Sequence, residues 1–489
     1  MSRWPKLLLG VSLLGAAGFL VVPRMLFDRQ GWLDDFQQLE RQTSEVYANL
    51  EWVQHHRKLD LAALHLQTKA ALENAQSDSE ASIALHAFVE RFADPHFEVS
   101  RVKLSKRLEN AWREWRAPPP TPLSAIPASH SAEQACASLG YEEAPSTFRF
   151  RLPEGARVIE SDDQIARSFP TAVLSLPSGV RVGLIRIHSF STSKFGAACR
   201  EAWTRWKSVG HASCDRACQQ DLEHVQIPNV ILGGLAARIE GLKDVGLLAV
   251  DLTHNGGGTD WVDPATRMLS ATALGCPRRA FIKHRHWARK LEGRRDELVP
   301  LLQEDGSELS LRLVEQLKRL AAEANEICDR SQVWEGKDPG CALLGKEPLY
   351  ACGLVERLAV NELAGSPARD GVWGPAGYTF REGVWKGPLA VLVDNYTASA
   401  SEQLASVLQD AHAAVVVGEK TLGAGCGYTS GGLPIVLAHS GLKVQMPDCA
   451  RFRANGVNEI EGVEPDVVLA PAQLESGLIE ALEKVTSMR

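Results

Sequence analysis

The segment Gly387–Gly427 constrains the fold more than any other stretch of this chain. An apolar run ends at Asp394, and a turn of small residues follows, Thr397-Ala398-Ser399-Ala400-Ser401. A helical stretch from Glu402 to Asp410 comes next, and then a second apolar strand, Ala413–Gly418. Strand, tight turn, helix and strand in that order predict an α/β sheet. A serine between a strand and a helix start is well placed to be a nucleophile, because unpaired N–H groups and the positive dipole end favour developing negative charge. The same letters read equally well as a capping box, in which Ser399 caps the helix and Glu402 caps back.

Other strands end in similar loops. Val180–Phe190 is strand-like and carries His188-Ser189 near its end. Val245–Leu252 reads as a buried strand and runs into His254-Asn255-Gly256-Gly257-Gly258. Sites in α/β sheets gather at the carboxyl ends of strands, so these loops and the Ser399 turn are expected to converge. Around them, Asp28 to about Val102 reads as helices, with Leu33, Phe36 and Leu39, then Leu61, Leu64 and Leu72, at helical spacing. The run Ala117–Pro122 is a linker by composition. A polar, helix-prone insert spans about Arg285–Arg330 and reads either as a cover over the site or as a solvated helix pair. Ile435–Leu437 with Leu442–Gln445 predicts a hairpin, and Leu474–Val485 a terminal helix.

The expected organisation is a signal anchor or signal peptide over 1–27, a helical region over 28–116, and a linker with a small mixed region over 117–178. The α/β core then occupies 179–489, interrupted by an insertion at about 275–386. Arg3 and Lys6 precede the uncharged run Leu7–Val22, which reads as an uncleaved anchor in the membrane and implies export. Ten cysteines suit an exported chain with disulfides. No zinc-type spacing accompanies them, so no metal is expected. Net charge is −7 and no basic run stands out, which argues against a nucleic-acid partner.

Five motifs in order resemble the S41 serine peptidases, which include the tail-specific processing proteases and the tricorn protease. Asp251–Gly258 is similar to their D-x-R-x-N-x-G-G loop, with Thr253 in place of the arginine. Thr397–Glu402 is similar to their S-A-S-A-S-E turn, Gly418–Gly423 to G-E-K-T-F-G, and Gly462–Asp466 to G-I/V-x-P-D. Phe92–Phe97, with Asp94 and His96, resembles the D-x-H segment that closes their helical region. The resemblance implies a ClpP/crotonase-like peptidase core, a peptide or protein substrate and no cofactor. It also implies a lysine base 25 positions after the serine, where this chain has Ala424. Lys420 matches a different position. The tricorn-type branch instead uses a histidine on an early strand and a glutamate before the terminal motif. That pattern implies a Ser399–His188–Glu459 triad, with His254 a rival base and Glu461 a rival partner. Gly257 and Ala400 would supply the oxyanion amides, with Gly256 the near alternative. Residues 103–178 are short for a PDZ domain and lack its binding-loop pattern, so none is expected. The other reading is a catalytically inactive binding protein on the same fold, for a peptide or a small apolar ligand.

Overall fold

Leu247–Asp251 and Leu389–Val393 are buried at every position, so both faces of the sheet they form must be covered. The computed structural model describes residues 27–100, 125–144, 147–429, 432–470 and 474–488. The apolar segment Leu7–Val22 and the linker Ala117–Pro122 lie outside the described residues, as does part of the region considered for a PDZ domain.

The central sheet has seven strands. In spatial order they are Val467–Val468, Val415–Gly418, Leu389–Val393, Leu247–Asp251, Arg181–Arg186, Thr171–Ser175 and Arg157–Val158. The first five run parallel, and the last two pair antiparallel at one edge. One face packs on helices including Ile227–Glu240 and Ala400–Asp410, through Leu235, Leu404 and Leu408. The other face is closed by the terminal helix, through Leu478, Leu482 and Val485. The sheet therefore begins at Arg157, upstream of the residue 179 expected from the sequence.

Among the described residues the N-terminal region holds four helices, Arg29–Val46, Leu50–His55, Leu61–Asn74 and Asp78–Glu90. Asp28, Asp60 and Ser77 cap three of them, each side chain accepting an N–H of the first turn. The last of these helices ends at Glu90. After the turn at Asp94–His96 the chain extends, and Glu98–Ser100 pairs antiparallel with Lys443–Gln445. That strand also forms the expected hairpin with Ile435–Val436. The insert is a helical hairpin, Arg285–Asp305 and Glu308–Ala324. It shares one core with the N-terminal helices, including Phe36, Phe88, Trp287, Leu317 and Trp334. The expected helix over Trp261–Leu274 is confined to Val262–Met268. The sequence reading passed over the helix Gly196–Ser208.

All ten cysteines are paired: Cys136–Cys199, Cys214–Cys218, Cys276–Cys352, Cys328–Cys341 and Cys426–Cys449. Five disulfides point to an oxidising, extracytoplasmic compartment. Among the described residues no helix is long and apolar enough to cross a membrane.

Candidate active site

Arg181–Arg186, Leu247–Asp251 and Leu389–Val393 are adjacent and parallel, so the loops after them leave the sheet at the same edge. Asn255, fully buried, stitches all three together. Its side-chain amide donates to the Ile187 carbonyl at 2.9 Å, and its own carbonyl accepts the Ala398 N–H at 3.0 Å. Beneath the loop, Arg186 forms a buried ion pair with Asp251 at 2.7 Å and also reaches Thr253. The guanidinium beside Asp251 thus comes from the neighbouring strand, while position 253 holds a threonine.

Ser399 sits at the N-terminus of the helix Ala400–Asp410 with φ 57° and ψ −113°. A positive φ at a residue with a Cβ costs about 1–3 kcal/mol and persists only where the surroundings impose it. Glu402, fully buried, is the main brace. One carboxylate oxygen accepts the Ser399 N–H at 2.7 Å and the Ala424 N–H at 2.9 Å. The other accepts the Thr421 hydroxyl and the Gly423 N–H, both at 2.6 Å. Burial pushes this carboxyl up from its usual range, and the four donors pull against it. The capping-box reading therefore holds for Glu402, and its carboxylate also ties the Ser399 turn to the loop at Gly423-Ala424. If strain is stored at position 399, Ser399→Gly should be about 1 kcal/mol more stable than Ser399→Ala, because only glycine adopts positive φ freely. Denaturant midpoints of the two variants measure this, and equal midpoints would remove the strain argument.

Ser399 and Ala400 open on a cleft of about 950 Å³. Gly256, Gly258, Gln403, Gly427, Arg451 and His96 also border it. His96 comes from the turn that ends the N-terminal helices. Its Nδ1 lies 2.6 Å from the Ala424 carbonyl oxygen. A carbonyl only accepts, so Nδ1 carries the hydrogen, and in the neutral ring Nε2 holds the lone pair. The backbone of His96 is fixed from both sides. Its N–H donates to Asp94, and its carbonyl accepts the Tyr428 hydroxyl at 2.5 Å. Asp94 is itself buried, accepting from Tyr47 and Asn49 at 2.9 Å each. The sequence reading named His96 only as part of a family segment and gave it no chemical role.

The other candidates lie as follows. His188 is half-buried, its ring tilted against that of Phe195 at 4.8 Å, and is not among the residues bordering the Ser399 cleft. Burial, and then the nearby Arg186 charge, hold its pKa down to about 4. Glu459 is buried and bonded to Arg451 Nε at 2.5 Å and to the Ser406 hydroxyl at 3.1 Å. Arg451 continues to Gln403 at 2.8 Å and to the Ser399 carbonyl at 2.9 Å. Glu459 therefore reaches the Ser399 turn through a guanidinium, and no bond joins it to either histidine. Glu461 accepts from Trp52 and Arg57, both at 2.8 Å. Lys420 pairs with Glu464 at 2.7 Å on the surface. His254 lies 2.5 Å from Asp394 and stacks on Tyr396.

Gly257 packs directly against the serine turn: a Cβ there would meet the Ala398 carbonyl at 2.7 Å and the Ala400 nitrogen at 2.8 Å. Its N–H donates to the Asn255 side chain at 2.9 Å, while Gly256 and Gly258 face the cleft.

The description Peptidase family S41 matches residues 301–469, a span that holds Ser399, Glu402, Arg451 and Glu459. Carboxyl-terminal-processing peptidase 3, chloroplastic, of Arabidopsis thaliana is 31% identical over 121 residues, covering 24% of this chain. The match takes in 22% of that relative's length. Mature CPAF complexed with lactacystin superposes with a TM-score of 0.55 at 14% identity, over 94% of this chain and 97% of that one. Mature CPAF alone gives 0.54 at 14% identity, over 94% and 96%. This likeness establishes the fold, a mixed α/β core with an N-terminal helical region. The family match is confined to residues 301–469, about a third of the chain, and the chain is similar to the S41 peptidases over that span.

Proposed function

We propose that this chain is an exported serine endopeptidase with a ClpP/crotonase-like core, held at a membrane by its N-terminal segment and acting on peptides or protein tails. Ser399 is the nucleophile and His96 the general base. One observation carries the reading: a serine held at positive φ at a helix N-terminus opens on the same cleft as a histidine whose tautomer leaves Nε2 free. A hydroxyl needs such a base to attack a carbonyl.

In this mechanism His96 Nε2 takes the Ser399 proton as Oγ attacks the scissile carbonyl. The oxyanion is held by the Ala400 N–H and by an amide of the Gly256–Gly258 loop. His96 then protonates the leaving amine, and water releases the acyl group from Ser399 by the same steps in reverse. The Ala424 carbonyl orients the imidazole, a task that a carboxylate performs in other triads. Glu459 and Arg451 hold the carbonyl of the nucleophile itself. A serine–lysine dyad is disfavoured, because Ala424 occupies the expected lysine position and Lys420 is engaged by Glu464.

The test is labelling with a fluorophosphonate. Wild type should be labelled stoichiometrically and Ser399→Ala not at all, with unchanged circular dichroism. A folded wild type that resists labelling and cleaves no peptide would instead favour an inactive binding protein on this fold.

A further inference from the structure

The chain is acidic overall, with a net charge of −7, yet one side of the Ser399 cleft is cationic. Arg279 lies on the strand Arg278–Phe281, and Arg289, Lys290 and Arg294 lie on the helix Arg285–Asp305. All four border the cleft. Helical periodicity puts Lys290 and Arg294 one turn apart on the same face, with Gly293 between them leaving open space where a side chain would stand. The carboxylates on this surface are Asp260 and Glu297, both exposed. Arg451 is a further cation in the cleft, and Glu459 neutralises it at 2.5 Å.

None of the four side chains of the wall forms an ion pair among the described residues, although Asp448 acts at longer range on Arg279 and Lys290, and Glu297 and Asp370 on Arg294. Arg279 Nε is buried with no hydrogen-bond partner, and the guanidinium stands 6.0 Å from the Trp287 ring. Asp260, Asp263 and Asp448 lie around it without forming an ion pair; Gln403 engages Asp263, and Asp448 is taken by His286 and Thr429. Arg294 Nε is likewise unpartnered, and its terminal nitrogen donates to the Gly371 carbonyl, which is neutral. Lys290 donates to the carbonyl and hydroxyl of Thr429, again neutral groups. Arg289 is exposed and forms no hydrogen bond or ion pair among the described residues. Cations gathered along one wall repel one another, and an incoming anion relieves that repulsion while gaining charge-assisted hydrogen bonds.

We propose that Arg279, Arg289, Lys290 and Arg294 form a substrate subsite for a carboxylate, so that the enzyme selects peptides bearing a negative charge near the scissile bond. The inference rests on the serine-peptidase reading of Ser399 and names the chemistry of its substrate. An acidic side chain and a free C-terminus present the same group, and the experiment separates them.

Fluorescent peptides carrying Glu, Gln or Lys at one position, each as the free acid or the amide, are titrated into Ser399→Ala by anisotropy. The same peptides are assayed for cleavage by wild type. Carboxylate-bearing peptides should bind about tenfold more tightly than neutral ones and show a matching rise in kcat/KM. The preference should shrink in high salt. Arg289→Gln should cut it at least about threefold, and Arg289→Gln/Lys290→Gln to within about twofold of parity, without loss of fluorophosphonate labelling. Preference for Glu over Gln in amidated peptides identifies an acidic side chain. Preference for acid over amide at constant sequence identifies a chain end. Equal binding of all peptides, or a preference untouched in the variants, overturns the subsite. Charge-selective binding by Ser399→Ala without any cleavage or labelling of wild type would instead keep the subsite and discard the peptidase.

Discussion

His96→Ala should lower kcat for peptide hydrolysis by at least about a thousandfold, while His188→Ala should leave it near wild type and lower thermal stability. The first variant removes the one imidazole that borders the Ser399 cleft among the described residues. The second removes a ring packed on Phe195, so its cost is a cavity. The pH profile gives an independent readout. A general base works unprotonated, so activity falls as pH drops through its pKa. Burial and Arg186 hold His188 at about 4, and a base there would keep the enzyme fully active down to about pH 5. An acid limb centred near 4, together with a dead His188→Ala, would return the role to His188 and the triad to the one expected from the sequence.

Glu402→Ala should destabilise the protein by about 3–5 kcal/mol and nearly abolish turnover. The carboxylate is fully buried and accepts four hydrogen bonds, from Ser399, Thr421, Gly423 and Ala424. Removing it strands those donors away from water. The two effects are separable, because Ala424 is also the residue whose carbonyl holds His96. Losing the brace lets the nucleophile turn and the imidazole drift independently. Denaturant unfolding measures the first effect. The second is read as loss of kcat at a temperature where the variant remains folded. A variant with wild-type kcat and a lowered midpoint would reduce Glu402 to a helix cap.

The sheet and the serine turn were legible because their signals are local. A parallel strand covered on both faces must be apolar throughout, as Leu247–Asp251 and Leu389–Val393 are. The turns after them need small residues, and the letters show these directly. The proposed base was not legible, for a different reason. What orients His96 is the Ala424 carbonyl, and a backbone carbonyl leaves no mark on residue identity. The Ala424 side chain signalled only a missing lysine. The family resemblance implies His188 as base from its place on an early strand, but its ring packs on Phe195, a choice made by tertiary packing. Glu459 stands out for its place before Gly462, yet its partner is Arg451 on the strand Cys449–Phe452, a pairing made only in the fold. The cationic wall was hidden similarly. Arg279 is separated from Arg289, Lys290 and Arg294 in the chain, and the strand and the insert helix meet only once folded.

His96 and the Ala424 carbonyl are 328 positions apart along the chain. Contacts of such separation form late, since loop-closure entropy opposes them until much of the core exists. If His96 and Ser399 act together as proposed, a growing polypeptide stays inactive until the chain through Ala424 has been synthesised and packed. Fragments ending before the serine turn, or beginning after the early helices, would each carry half a catalyst.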